Sequence, residues 1–251
     1  MRLLMLDSCQ YSPTNKVGGM IKTETYDWID DQLDEAWDDG VILLPVAHHN
    51  LLDESKIYVE DCTIEHSEEL VNRLEEENVP LFLSGHLHVQ HYMRNEEDRG
   101  IYEIVTSSLS TPPCQYGVLE YRDDESFSYH TQQVDMEKWA RKHKSTDENL
   151  LNFNTYAPAA LRTIFYNQSY DAMKDSEEEE TGDLFVKLTQ RQKEQMSEVY
   201  AQLNAACYGG KAYEVVKEAT TTPAYKMWQE YCYPMVLFEY LEYYKQDRDI
   251  C

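Results

Sequence analysis

Cations are scarce in this 251-residue chain: 22 Lys plus Arg stand against 47 Asp plus Glu, a formal charge of −25 at pH 7. Phosphate backbones are gripped by clustered cations, so the shortage argues strongly against a nucleic-acid-binding protein. Long apolar runs are missing too. None approaches the roughly 18 to 20 residues needed to cross a bilayer, and Met1-Arg2-Leu3-Leu4-Met5-Leu6-Asp7 is too short and too quickly acidic for a secretory signal. The six cysteines (Cys9, Cys62, Cys114, Cys207, Cys232, Cys251) show no Cys-x-x-Cys spacing. That excludes a cysteine zinc ribbon, argues against a dense disulfide framework, and reads as mostly reduced core thiols. There is no internal repeat.

Apolar material is plentiful by contrast. Hydrophobic residues make up 42% of the chain, with 20 Tyr and 4 Trp, enough for a sizeable core and too much for wholesale disorder. The length allows one large domain, or a medium domain with a smaller partner.

Leu3 to Leu6 is an unbroken apolar run ending at Asp7-Ser8, the pattern of a buried strand that opens into a loop carrying Pro13, Gly18 and Gly19. From Thr23, the residues Tyr26, Ile29, Leu33, Ala36 and Trp37 recur at helical spacing, and Gly40 closes the helix. Residues 41–47 read as a second buried strand, 66–78 as a second helix around Leu70, Val71 and Leu74, and 80–84 as a third strand. Strand, helix, strand, helix, strand implies right-handed crossovers and a largely parallel sheet. Short strands at 101–108, 116–121 and 126–134 suggest an antiparallel second sheet.

After about Asp135 helical patterns take over: Leu150 to Met173, Thr189 to Cys207, Ala212 to Ala219, and Ala224 to Gln246 broken at Pro234. Glu177 to Glu180 is too charged to pack and reads as an exposed linker. The series Trp228, Tyr231, Tyr233, Phe238, Tyr240, Tyr243 and Tyr244 is expected chiefly to pack helix on core.

Six of the eight histidines lie between His48 and His91, several directly after expected strands. Open α/β sheets place ligand-binding residues there. As neutral nitrogen donors, imidazoles suit Zn, Mn or Fe. In His86-Leu87-His88 the small Gly85 is expected to let the backbone turn so that both rings reach one centre. Alone, each pair is as readily a set of strand-end caps as a metal site. Asn50, Asp53 and Glu54 are candidate substrate contacts, while Ser107, Ser108, Ser110 and Thr111 read as turn chemistry. His66 reads as a residue at a helix start, and His91, His130 and His143 have no partner pattern.

The ordered series Asp7-Ser8, Gly18-Gly19-Met20, Trp28 and Gln32-Leu33, His48-His49, and Gly85-His86-Leu87-His88 resembles the second half of a calcineurin-like metallophosphoesterase. The resemblance covers residues 1–135, with 136–251 an all-helical C-terminal extension outside it. It implies a β-sandwich flanked by helices and a two-metal centre hydrolysing a phosphomonoester or phosphodiester through an activated bridging hydroxide. Carried over by position, His48, His86 and His88 are the metal ligands, with His49 an alternative and Asn50 a possible contact. The family's Asp-x-His, Gly-Asp-x-x-Asp and Gly-Asn-His motifs are absent from the chain.

Neutral imidazoles do not offset the repulsion between two adjacent dications. The expectation is therefore at most one divalent ion (Mn, Fe or Zn), weakly held, and little activity from this chain alone. The absent motifs suggest a chain incomplete at its amino terminus, where any export signal would lie. The substrate expected of the full-length parent is a small phosphate ester, because the acidic surface disfavours a polyanion. The rival reading is a non-catalytic remnant that binds a partner through its helical tail.

Overall fold

A computed structural model describes residues 1–53, 61–95, 99–124, 126–175 and 183–231. The chain is mixed α/β and divides into two compact units, Met1–Ser107 and Ser108–Cys251. The family of helices and the larger, mostly parallel sheet match the expected class. The finer expectation of a sandwich concerns the mutual placement of two sheets that lie in different units.

In the first unit, β1 (Arg2–Met5), β2 (Leu43–Val46), β3 (Leu81–Ser84) and β5 (Tyr102–Val105) run parallel, and β4 (His91–Arg94) pairs antiparallel with β5. The strand order is β1-β2-β3-β5-β4. Two expectations change here. Residues 102–105 belong to this sheet, as a parallel neighbour of β3, and not to a separate antiparallel one. The strand β4 gave no apolar alternation in His-Tyr-Met-Arg and so was invisible in the sequence.

Likewise β1 is not buried on both faces. Leu4 and Leu6 are buried, whereas Leu3 and Met5 are 56% and 65% exposed, the alternation of an edge strand covered on one side.

Helix α1 (Thr23–Asp39) joins β1 to β2 and buries Tyr26, Ile29, Leu33 and Ala36. Trp37 lies off that stripe and is exposed, because one residue past Ala36 the helix has turned by about 100°. Gly40 ends the helix at φ 63, and its N–H reaches the carbonyls of Ala36 and Trp37, a left-handed cap in which a β-carbon is strained. Helix α2 (Ser67–Glu76) begins after His66 and buries Leu70, Val71 and Leu74. With Phe82 and Ile101 these residues form one core.

The β2–β3 pairing is confined to the carboxyl ends of the strands. Val46 faces Leu83, the Ala47 N–H reaches the Leu83 carbonyl at 3.0 Å, and the Gly85 N–H reaches the His48 carbonyl at 3.1 Å. Pro45, one residue earlier, has no N–H to offer a ladder. The two strands are thus tied where the histidines follow.

In the second unit β6 (Gln115–Tyr121) and β7 (Phe127–Gln133) form an antiparallel ribbon. Then come α3 (Met136–Lys142), α4 (Glu148–Leu151), α5 (Phe153–Asp175), α6 (Asp183–Val186), α7 (Gln190–Tyr208), α8 (Ala212–Ala219) and α9 (Pro223–Tyr231). The expected helix from Leu150 is interrupted at Asn152, whose φ of −121° and ψ of 35° are not helical. Met173, Met196, Leu203, Val216, Tyr225 and Trp228 share a core, and the Trp228 indole N–H donates to the Met196 carbonyl at 2.8 Å. Trp228 thus takes the packing role expected of the aromatic series. Residues 233–244 of that series, the Glu177–Glu180 linker, Glu54, Cys232 and Cys251 lie outside the described residues.

Thr189 caps α7 in a reciprocal box with Gln192. Thr189→Ala is expected to lower stability by about 1 kcal/mol, the usual worth of an N-cap hydroxyl, read as a shift of the urea midpoint without change in slope.

Candidate active site

The carboxyl ends of β1, β2 and β3 deliver Ser8, then His48, His49 and Asn50, then Ser84 and His86. Among the described residues, His48, His49 and His86 bring ring nitrogens within 4.8 Å of one another. His48 Nε2 and His86 Nδ1 are 3.0 Å apart, so one ring donates to the other. The rings stand edge to face at 4.9 Å between centroids.

His49 is differently occupied. Its Nε2 is 2.7 Å from the Val17 carbonyl and its Nδ1 is 2.8 Å from Ser8 Oγ. A carbonyl only accepts, so Nε2 carries the proton, and in the neutral ring Nδ1 accepts from the Ser8 hydroxyl. Both nitrogens are committed, the ring is buried, and it serves to pin the 8–20 loop to β2. The backbone of that loop is stapled further. Met20 N–H reaches the Ser8 carbonyl at 2.9 Å and Glu65 N–H reaches the Gly19 carbonyl at 2.8 Å.

His88 is exposed and stands outside this three-ring group, although its charge is felt by both His48 and His86. The turn expected of Gly85 is made elsewhere. His86 and His88 themselves adopt left-handed backbone, at φ 60 and φ 59, while Gly85 does not. Such a conformation costs a non-glycine residue about 1 kcal/mol and is held only where surroundings enforce it.

Burial lowers the His86 pKa, helped by the neighbouring rings of His49, His48 and His88 and opposed by the Asp61 carboxylate. Burial, then His49 and His88, lowers that of His48. His48 keeps an exposed edge, so water tempers its shift. Both imidazoles are therefore predominantly neutral at pH 7, the form that donates a lone pair.

Asn50 is fully buried beside these rings in sequence. Its Nδ2 donates to Ser84 Oγ at 2.9 Å and to the Gly85 carbonyl at 3.4 Å, and its Oδ1 has no hydrogen-bond partner. Asp53 is exposed. Ser108, Ser110 and Thr111 make turn bonds among themselves, with Ser108 Oγ 2.9 Å from Ser110 Oγ and Thr111 N–H 3.3 Å from the Ser108 carbonyl.

The residue that sequence reasoning missed is Glu103. It is fully buried in β5 and accepts from Leu51 N–H at 2.8 Å, from Leu52 N–H at 2.6 Å and from the Ser84 hydroxyl. A carboxylate set in Ile-Tyr-Glu-Ile-Val, a strand otherwise fit for the core, was the signal available.

The donor set is a test of the expected ions. His48 and His86 are neutral and close enough to share one cation. His49 joins only by breaking a hydrogen bond, and among the described residues no carboxylate belongs to the group. Two imidazoles with open positions fit a single borderline ion. They do not fit an adjacent pair of dications, whose repulsion needs a bridging anion.

A mixed α/β chain with neutral histidines at the ends of parallel strands is the class that fold and site define. Residues 135–250 match the family model described as the C-terminal domain of cyclic nucleotide phosphodiesterase. No curated protein matches the chain.

That match corrects the assignment suggested by the amino-terminal motifs. The family model that residues 135–250 match is that of the phosphodiesterase C-terminal domain, not a calcineurin-like metallophosphoesterase one. The physical lesson is that two short histidine motifs, one of them partly used to pin a loop, carry little family information by themselves. The match also falls on the helical residues that the earlier resemblance left outside its fold. Among the described residues, no helix is long and apolar enough to cross a membrane.

Proposed function

We propose that the chain belongs to a hydrolase of phosphate esters acting on a small phosphodiester, with His48 and His86 as its reactive centre. The observation that carries this reading is the 3.0 Å approach of His48 Nε2 to His86 Nδ1 at the ends of adjacent strands. The similarity of residues 135–250 to a domain of cyclic nucleotide phosphodiesterase supports the bond class.

In this reading His48 and His86 hold one divalent ion weakly. Such an ion, when bound, polarises a phosphoryl oxygen and acidifies a coordinated water. The exposed edge of His48 leaves the centre open to substrate. The unpartnered Asn50 Oδ1 is buried, so it is an acceptor for an internal water and not a direct substrate contact. The charge of −25 repels long polyanions and favours a small diester.

The test is a Co2+ titration of the purified chain beside hydrolysis of a bis-aryl phosphodiester. The reading expects one Co2+ per chain and slow hydrolysis, with both affinity and rate falling at least roughly 100-fold in His48→Ala and His86→Ala. Two tightly held ions per chain overturn the single-ion centre. Turnover that survives the double substitution overturns the histidine assignment.

A further inference from the structure

We propose that Glu103 is a positioning residue of the His48–His86 centre, a buried carboxylate that fixes both histidine-bearing segments at once. The inference rests on the reading of those two rings as the reactive centre.

Glu103 lies on β5, with β3 between it and β2. One of its oxygens takes the Leu51 N–H and the Ser84 hydroxyl, and the other takes the Leu52 N–H. Ser84 Oγ in turn accepts from Asn50 Nδ2. A single carboxylate therefore reaches the segment after β2 twice through backbone and once more through Ser84 and Asn50. It reaches the end of β3 through Ser84 itself. His48 is two residues before Asn50 and His86 two residues after Ser84, so the relay ties together the two segments that carry the imidazoles.

The chemistry argues that this carboxylate is not kept for packing. Burying an anion is costly unless its lone pairs are filled, and an apolar residue of similar volume usually stabilises an interior as well or better. Glu103 is fully buried in a strand whose neighbours in sequence, Ile101, Ile104 and Val105, are core residues. What an isoleucine there does not supply is an acceptor for two successive backbone N–H groups and a hydroxyl. Hydrogen bonds to a carboxylate are short and about twice as strong as neutral ones, and they hold a loop in one geometry.

Precision is what a two-ring centre needs, since catalytic constellations tolerate displacements of only about 0.5 Å. The left-handed backbone of His86 and His88 is the second sign that this turn is held by its surroundings and not by its own preference.

Glu103→Gln keeps the shape and places an amide N–H2 against groups that already donate. The experiment reads the imidazole 15N signals of the metal-free full chain by NMR, with a parallel Co2+ titration. In the wild type, His48 Nε2 and His86 Nδ1 should appear as one protonated and one bare nitrogen joined by a hydrogen bond. Glu103→Gln and the milder Ser84→Ala should lose that signature and bind Co2+ at least 10-fold more weakly. Leu74→Ala, which hollows the fully buried α2 core, should lower the melting temperature at least as far and keep both.

A folded Glu103→Gln or Ser84→Ala protein with the wild-type ring signature and wild-type Co2+ affinity overturns the proposal. So does loss of both in Leu74→Ala, because the effect is then general destabilisation. A wild type that takes up no Co2+, while Glu103→Gln still loses the ring signature, upholds the role of Glu103 and removes only the cation from the centre.

Discussion

Gly19→Ala is expected to destabilise the protein by about 3 kcal/mol, measured as a fall in the urea midpoint. A β-carbon at Gly19 falls 2.3 Å from His49 Cγ, 2.5 Å from Nδ1 and 2.7 Å from Cβ, well inside contact distance. The ring has nowhere to go, because it is buried and pinned by Ser8 Oγ on one side and the Val17 carbonyl on the other. Overpacking costs about 1 to 3 kcal/mol, and displacing the ring adds the loss of its hydrogen bonds at about 1 kcal/mol each.

Gly18 is the internal control. A β-carbon there meets Asp61 Oδ1 at 2.5 Å, but that is the tip of a side chain able to turn away, so Gly18→Ala should cost less than about 1 kcal/mol. Equal effects at the two positions would show that the 8–20 loop is not clamped by His49.

Lowering the pH from 7 to 4.5 is expected to remove up to about 3 kcal/mol of stability through His91 alone. The ring is buried in β4, and burial lowers its pKa from 6.5 to about 4, against a smaller opposing pull from the Glu103 carboxylate. The folded state therefore holds this proton less tightly than the unfolded chain. Above pH 6.5 both states are neutral at His91 and the residue contributes nothing to the slope. Between 6.5 and about 4 the unfolded chain takes up a proton that the folded one refuses, so stability falls with pH and levels off below 4. The gap between those two values corresponds to about 3 kcal/mol.

Carboxylates also titrate at the acid end of this window, so the comparison is with His91→Leu. Unfolding free energies at pH 7.0, 5.5 and 4.5 should fall more steeply for the wild type than for the variant. Parallel curves would mean that the folded protein takes up the His91 proton as readily as the unfolded chain does.

The elements most visible in the sequence were those whose partners lie nearby along the chain. Helix α1 showed its Tyr26-Ile29-Leu33-Ala36 stripe and its Gly40 stop, and α2 its Leu70-Val71-Leu74 face. The hydrophobic runs of β2 and β3 were legible for the same reason. Pairing was less so. Strand β5 was assigned to the wrong sheet and β4 was not seen, because sheet membership depends on residues far apart in sequence and four residues carry too short a period to read. The half-exposed face of β1 escaped for a related reason, since an apolar run does not reveal how many of its sides are covered.

The candidate site divides in the same way. Strand-end position and the family resemblance pointed to His48, His86 and His88, with His49 as an alternative, whereas the structure gathers His48, His49 and His86 and leaves His88 outside the group. Nothing in the spacing distinguished the free ring from the pinned one of two adjacent histidines. Their difference lies in Ser8 Oγ and the Val17 carbonyl, about thirty to forty residues upstream. His88 shares the motif with His86 yet remains exposed outside the three-ring group, because consecutive left-handed turns at 86 and 88 set where each side chain points.

By itself, then, the sequence determined the acidic character of the chain, its helices, its buried strands and the histidines at their ends, all consequences of residue type and local period. Only the tertiary structure decided how β4 and β5 join the sheet, which of the two adjacent histidines is pinned, and that a buried glutamate bonds the segments carrying the His pair. Those outcomes depend on hydrogen-bond partners brought together across strands, and the spacing of residues along a chain does not encode them.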